Sequence, residues 1–171
     1  MKIPNHTVVS LAALVIASGV SGIAKGDDKK ARAEITAIYH TLDIGLAHKS
    51  TKPLIAILTP DFTVIEGKST INRDRAIKLV SQEFNSTLTI NPTPTIITSF
   101  KTQGNKIIVA TKNSATFVEV DGQHKKHTIV DAGTTLDTWV KTSKGWNMKT
   151  SVIKTEKATV DGKVIPGAAP G

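Results

Sequence analysis

The chain has 171 residues, 39% of them hydrophobic and only 4% aromatic, and its 22 basic residues outnumber its 14 acidic ones for a net charge of +8. It contains no cysteine, which excludes a lipid-modified cysteine anchor, a disulfide framework, thiolate metal ligands and a cysteine nucleophile. The lysines are scattered rather than striped and no aromatic residues interleave them as a base-stacking platform requires, so no nucleic-acid partner is expected.

The N-terminus carries one lysine, Lys2, an apolar run from Val8 to Val20 and then small residues up to Ala24. This layout predicts a secretory signal peptide over residues 1 to 24. Its apolar stretch is short for a membrane span, which needs roughly 20 residues. Export to a periplasm or outside the cell follows as an expectation, with no membrane span in the mature chain. The remaining length suits one domain, placed at residues 25 to 160.

Over residues 31 to 47 the apolar positions Ile35, Ile38, Leu42 and Leu46 recur at spacings of three and four, an amphipathic helix with Tyr39 flanking its buried stripe. Pro53 opens a second, short helix that Thr59-Pro60 should end. The segment DFTVIEG, 61 to 67, reads as a strand in which Phe62, Val64 and Glu66 share a face. Helical spacing returns in INRDRAIKLVSQEF, with Ile77, Val80 and Phe84 as its stripe and Asn72 as N-cap. Everything afterwards reads as strand and turn, with hairpin turns at Gln103-Gly104-Asn105, Asp121-Gly122 and Thr142 to Gly145. Residues 161 to 171 read as a tail, ending in PGAAPG, which has no core-forming side chain and should be disordered.

The order helix, helix, short strand, helix, long strands predicts an α+β fold. A single curved antiparallel sheet is covered on one side by three N-terminal helices, leaving a cone. Two passages make the expectation specific: AILTPDFTVIEG and LDTWVKTSKGWNMKT. Through them the chain from about Ala33 to Ile153 resembles the nuclear transport factor 2-like, or SnoaL-like, superfamily, which includes ketosteroid isomerases and polyketide cyclases. The resemblance implies that Glu66 stands where the isomerases keep a carboxylate base and Asp137 where they keep a protonated aspartic acid. Leu42 occupies the place of the isomerase's tyrosine, and Tyr39 lies one turn earlier.

The residues themselves point partly the same way. Asp137 and Trp139 share one strand face, and Phe62, Val64 and Glu66 another, so two carboxylates would look into a space walled by Phe62, Val64 and Trp139. Apolar surroundings raise a carboxyl pKa, and two neighbouring acids push their values apart. The alternative is that Asp137 bonds to backbone or a threonine, that Glu66 faces solvent, and that both tryptophans are core. His124 and His127 bracket two lysines and make a poor cation site, so neither a metal nor a cofactor is expected. Asn85-Ser86-Thr87 is a glycosylation sequon, relevant to a eukaryotic source.

The expected function is an exported domain that binds a small, largely apolar molecule in its cone or serves as a contact module. The alternative is an enzyme of the isomerase, cyclase or dehydratase kind, with Glu66 as general base, Asp137 as proton donor and Tyr39 as orienting group. A monomer or weak homodimer is expected, because the outer face assigned to Thr138, Val140, Lys149, Ser151 and Ile153 is polar for a permanent interface.

Overall fold

The structure, a computed structural model, describes residues 25–165. The expected leader and the end of the expected tail lie outside the described residues. Helix α1 (Lys25–Ala47) buries Ala31, Ile35 and Tyr39, one residue per turn. Its last turn closes with Ser50 N–H donating to Gly45 O at 2.8 Å and Lys49 in the left-handed region at φ 51°. Gly45 is required there, since a Cβ would stand 2.8 Å from Pro53 Cγ. Removing that atom lets α2 (Lys52–Ile57) turn back against α1.

Strand β1 (Leu58–Glu66) starts earlier than the sequence suggested and includes Pro60. The proline is tolerated because the β1 register is irregular between Leu58 and Thr63, where no ladder bond is asked of it. A four-residue strand, β2 (Ser69–Asn72), forms a hairpin with β1 through Gly67 at φ 54° and was not foreseen. It buries no residue, so no apolar alternation marks it. Helix α3 (Arg73–Ser86) begins as predicted: Asn72 is extended and its side chain accepts from Arg75 N–H at 3.0 Å.

The remaining strands are β3 (Thr87–Pro92), β4 (Ile96–Gln103), β5 (Lys106–Val120), β6 (Lys126–Thr142), β7 (Gly145–Val160) and β8 (Lys163–Val164). The sheet runs β2-β1-β7-β6-β5, with β3 and β4 sharing the outer edge of β5 and β8 lying on β7. The pairing of β8 carries the sheet past residue 160. The sheet is mixed rather than wholly antiparallel, because β1 runs parallel to β7. Period-two patterning fixes which face a residue takes but not which way a distant strand runs, so only the hairpin pairings were readable.

Two bulges in β7 bend the sheet. Thr138 pairs with Thr150 and Trp139 with Met148, which leaves Lys149 as an extra residue; Thr134 and Thr135 pair with Thr155 and Ile153, which leaves Lys154 as another. Each changes the phase of the strand. Ser151 and Ile153, expected on the outer face, therefore stand on the inner one, with 0% and 4% exposure. The inner face carries two apolar clusters. Around Trp139, Met148, Ile107 and Val109 the sheet packs on Ile35 and Tyr39 of α1 and on Phe62 and Val64. Around Phe117, Ile129 and Ile90 it meets Phe84, Val80 and Leu46. Beyond this second cluster His127 is bracketed by Asp161 at 2.8 Å and Asp121 at 3.3 Å, tying the β5–β6 turn to the β7–β8 turn.

Candidate functional site

The inward row across the sheet reads Val64, Ser151, Asp137, Val109, one residue from each of four neighbouring strands. Asp137 is thereby held among apolar neighbours with no exposed surface. Tyr39 and Ser151 donate to it, and Trp139 donates to Tyr39. Trp139 Nε1 donates to the Tyr39 hydroxyl at 3.1 Å, that hydroxyl donates to Asp137 Oδ2 at 2.5 Å, and Ser151 Oγ donates to Oδ1 at 2.7 Å. Thr135, itself bonded to Thr111 at 2.9 Å, adds to the same carboxylate. Burial pushes the Asp137 carboxyl up to about 6, against the hydrogen bonds from Tyr39, Ser151 and Thr135 that pull it down. The Tyr39 phenol is held well above its usual value, first by burial and then by the Asp137 charge. The two rings of Tyr39 and Trp139 meet edge to face at 5.4 Å, which fixes the hydroxyl on the carboxylate.

Tyr39 also faces a second space. A cavity of about 220 Å³ lies between α1, α2, α3 and the β3 and β5 strands, and Tyr39 lines it. Its apolar wall comes from Leu42 and Leu46 of α1, Leu54 of α2, Phe84 of α3 and Phe117 of β5. The cavity exists because β5 and β6 change character along their length. Where the filled half presents Ile107, Val109 and Trp139, the other half presents Asn113, Ala115 and Gly133. Thr93, Thr95, Asn113, Ser114, Asp43 and Asp131 line it near the passage from β3 to β4, and Glu83 lines it from α3. Asp43 is fixed by Thr95, whose N–H and Oγ1 donate to its two oxygens at 2.9 and 2.8 Å.

Solved structures share this arrangement of helices and sheet. A nuclear transport factor 2-like superfamily protein from Salmonella enterica serovar Typhimurium superposes with a TM-score of 0.58 at 12% identity, over 84% of this chain and 98% of that one. The chain has the nuclear transport factor 2-like fold. A hexachlorocyclohexane dehydrochlorinase, LinA-type3, from Novosphingobium barchaimii superposes with a TM-score of 0.61 at 15% identity over 84% of this chain and 96% of that one. A protein provisionally named a scytalone dehydratase, from Novosphingobium aromaticivorans, gives 0.67 at 15% identity over 85% and 96%. No family model matches the sequence, nor does any curated protein.

Within the nuclear transport factor 2-like fold the expected site residues separate. Tyr39 and Asp137 are brought into contact, and Tyr39 alone among the expected residues lines the cavity. Phe62, Val64 and Trp139 are core residues of the filled half, 0 to 3% exposed, and none reaches the cavity. Glu66 ends β1 beside Ile153, two strands away from Thr135, half-buried and outside the cavity lining. Among the described residues no group of three or more His, Asp or Glu is placed to hold a metal ion.

Sequence reasoning missed Asp43, Glu83 and Asp131. The signal for two of them was present. Asp43 stands one helical turn after Tyr39, and Asp131 has the same parity along β6 as Asp137 and Trp139, which puts it on their face.

Proposed function

We propose that the chain is an exported domain whose cavity binds a small, largely apolar molecule. The observation that carries this reading is the cavity itself: a partly open, mostly apolar space with polar groups in its lining, the usual composition of a small-molecule site. Export is supported by Lys2 and the Val8 to Val20 run, and among the described residues no helix is long and apolar enough to cross a membrane. In this reading the Tyr39–Asp137 pair anchors α1 to the sheet, and Tyr39 contributes to one wall.

A second reading is favoured by the proton balance of that wall. With its carboxyl up to about 6, Asp137 takes a proton in mildly acidic solution. It can then donate to Tyr39, whose own proton turns toward a ligand oxygen in the cavity. An isomerase, cyclase or dehydratase would use this donor against a carbonyl, with Asp137 behind the tyrosine, while Glu66, the base expected for such an enzyme, lies outside the cavity.

A bicyclic ketone, 2-tetralone, tests both readings. Calorimetry should give a dissociation constant on the order of 0.1 mM, as expected for a ligand of this size in a preformed apolar site. Ala115→Trp, which fills the cavity, should abolish the heat. Unchanged binding by that folded variant would refute the cavity reading. Deuterium exchange at the ketone's α-carbon above the buffer rate, lost in Tyr39→Phe, would establish the enzyme reading; exchange equal to buffer would dismiss it.

A further inference from the structure

Most polar side chains that line the cavity are bonded to the protein itself, but two of them keep bonding capacity at one place. We propose that the cavity selects an alcohol or phenol, a small apolar body whose hydroxyl donates to Asp43 and accepts from Asn113. This rests on the cavity being a binding site, and it adds the functional group that the site reads.

The hydroxyl protons of the lining are already placed. Tyr39 donates to Asp137, Thr93 Oγ1 to Ser114 O at 2.9 Å, Ser114 Oγ to Asp131 O at 2.8 Å and Thr95 Oγ1 to Asp43 at 2.8 Å. Glu83 and Asp131 are engaged within the protein as well. Asp43 differs in keeping acceptor capacity. Thr95 N–H and Oγ1 bond one oxygen each, which fixes the carboxylate, and each oxygen retains a further lone pair.

Asn113 lies in phase with Val109, Thr111 and Ala115 along β5, hence on the inner face, and stands opposite Gly133, which puts no side chain beside it. Its amide makes no hydrogen bond to another of the described residues, so it can both donate and accept at the cavity wall. Acid and amide are brought together by one short segment. β3 leaves β5 at the Pro92–Ala115 pair and β4 joins it at Ile96–Lys112, so Thr93 to Thr95 run past Asn113 and Ser114, and Thr95 carries the bond to Asp43.

A hydroxyl answers both groups with one atom pair. Its proton goes to Asp43 and its oxygen accepts from the Asn113 amide, while the carbon body lies against Leu42, Leu46, Leu54, Phe84 and Phe117. A ketone accepts from Asn113 but brings Asp43 no proton. A hydrocarbon would take both groups out of water without a partner, which costs more than a made bond gains.

Four ligands on one carbon skeleton decide the matter: 2-tetralol, 2-tetralone, 2-methoxytetralin and tetralin, titrated into the purified protein at pH 7. The alcohol should bind about 10-fold more tightly than the ketone or the ether, the size expected of one hydrogen bond to a carboxylate, and tetralin should bind most weakly. Asp43→Asn should erase the preference for alcohol over ketone, because an amide NH2 donates to a carbonyl. Asn113→Leu, close in volume, should bring alcohol and ketone down toward tetralin. The wild-type ranking stands as a test by itself should either variant not fold. Equal binding of alcohol, ketone and ether, or a preference for the alcohol unchanged in both folded variants, would overturn the hydroxyl inference and leave the cavity reading standing. Absence of binding by all four would overturn both.

Discussion

The two ends of the inner sheet face are built from the same three long strands and serve opposite purposes. Around Asp137 the face carries Trp139, Met148, Ile107 and Val109, the helix supplies Ile35 and Tyr39, and Tyr39 and Ser151 bond the carboxylate. Around Asp131 the same strands carry Asn113, Ala115 and Gly133, and the helices do not fill the space. An acid in the filled half is a costly anchor, and an acid in the open half is a potential contact. Burial alone does not separate them, since Asp131 is 8% exposed and Asp137 0%. What separates them is whether neighbouring volume is occupied.

The largest test of this contrast lies in pH. The folded-state pKa of Asp137 is raised, so its protonated form stabilises the fold fully below the unfolded value near 3.8, and that stability is lost as pH rises through about 6. Asp137→Asn removes the dependence. Relative to wild type the variant should gain on the order of 2 to 3 kcal/mol between pH 4 and pH 7, at about 1.4 kcal/mol per pH unit, in urea melts at the two values. A variant-minus-wild-type difference that does not change with pH would show Asp137 to be an ordinary hydrogen-bonded carboxylate.

Enlarging a side chain should separate the two halves by sign. Ala76→Leu, in the packed cluster, should cost about 1 to 3 kcal/mol by overpacking. Ala115→Leu, on the cavity wall, should stabilise by about 1 kcal/mol through filling, measured by the same melts. Equal losses at both positions would mean that the cavity closes around the space it encloses. The smallest effect is expected at the exposed end, where Asp161 and Asp121 raise the His127 pKa. A raised histidine stabilises below its unfolded pKa and loses that contribution as pH climbs through the folded one. His127→Gln should therefore lower the melting temperature at pH 5.5 and leave it unchanged at pH 9.

Much of the filled half was legible because it obeys simple periods. The spacing of Ile35, Ile38 and Leu42 gave α1, the Asn72 cap gave α3, and alternation set Asp137 beside Trp139. Ser151 was hidden by Lys149: one extra residue reverses the parity of the strand and turns an expected surface serine into a partner of the buried acid. The cavity was hidden for another reason. Its walls come from α1, α2, α3, β3, β5 and β6 together, and its volume depends on small residues such as Ala115, whose lack of bulk has no period to detect. Phe62, Val64 and Trp139, the expected lining, are core residues of the filled half and lie outside this cavity.

The parallel pairing of β1 with β7 has a consequence for how the chain acquires its structure in time. β1 is made early and its partner late, and the Tyr39–Asp137 bond spans 98 positions. No stretch emerging from a ribosome can satisfy either contact until nearly the whole domain has been synthesised. Closing such distant loops before their contacts repay the entropy slows folding and leaves hydrophobic strands uncovered meanwhile. The sheet is completed only when the last long strand is available to pair on both its edges.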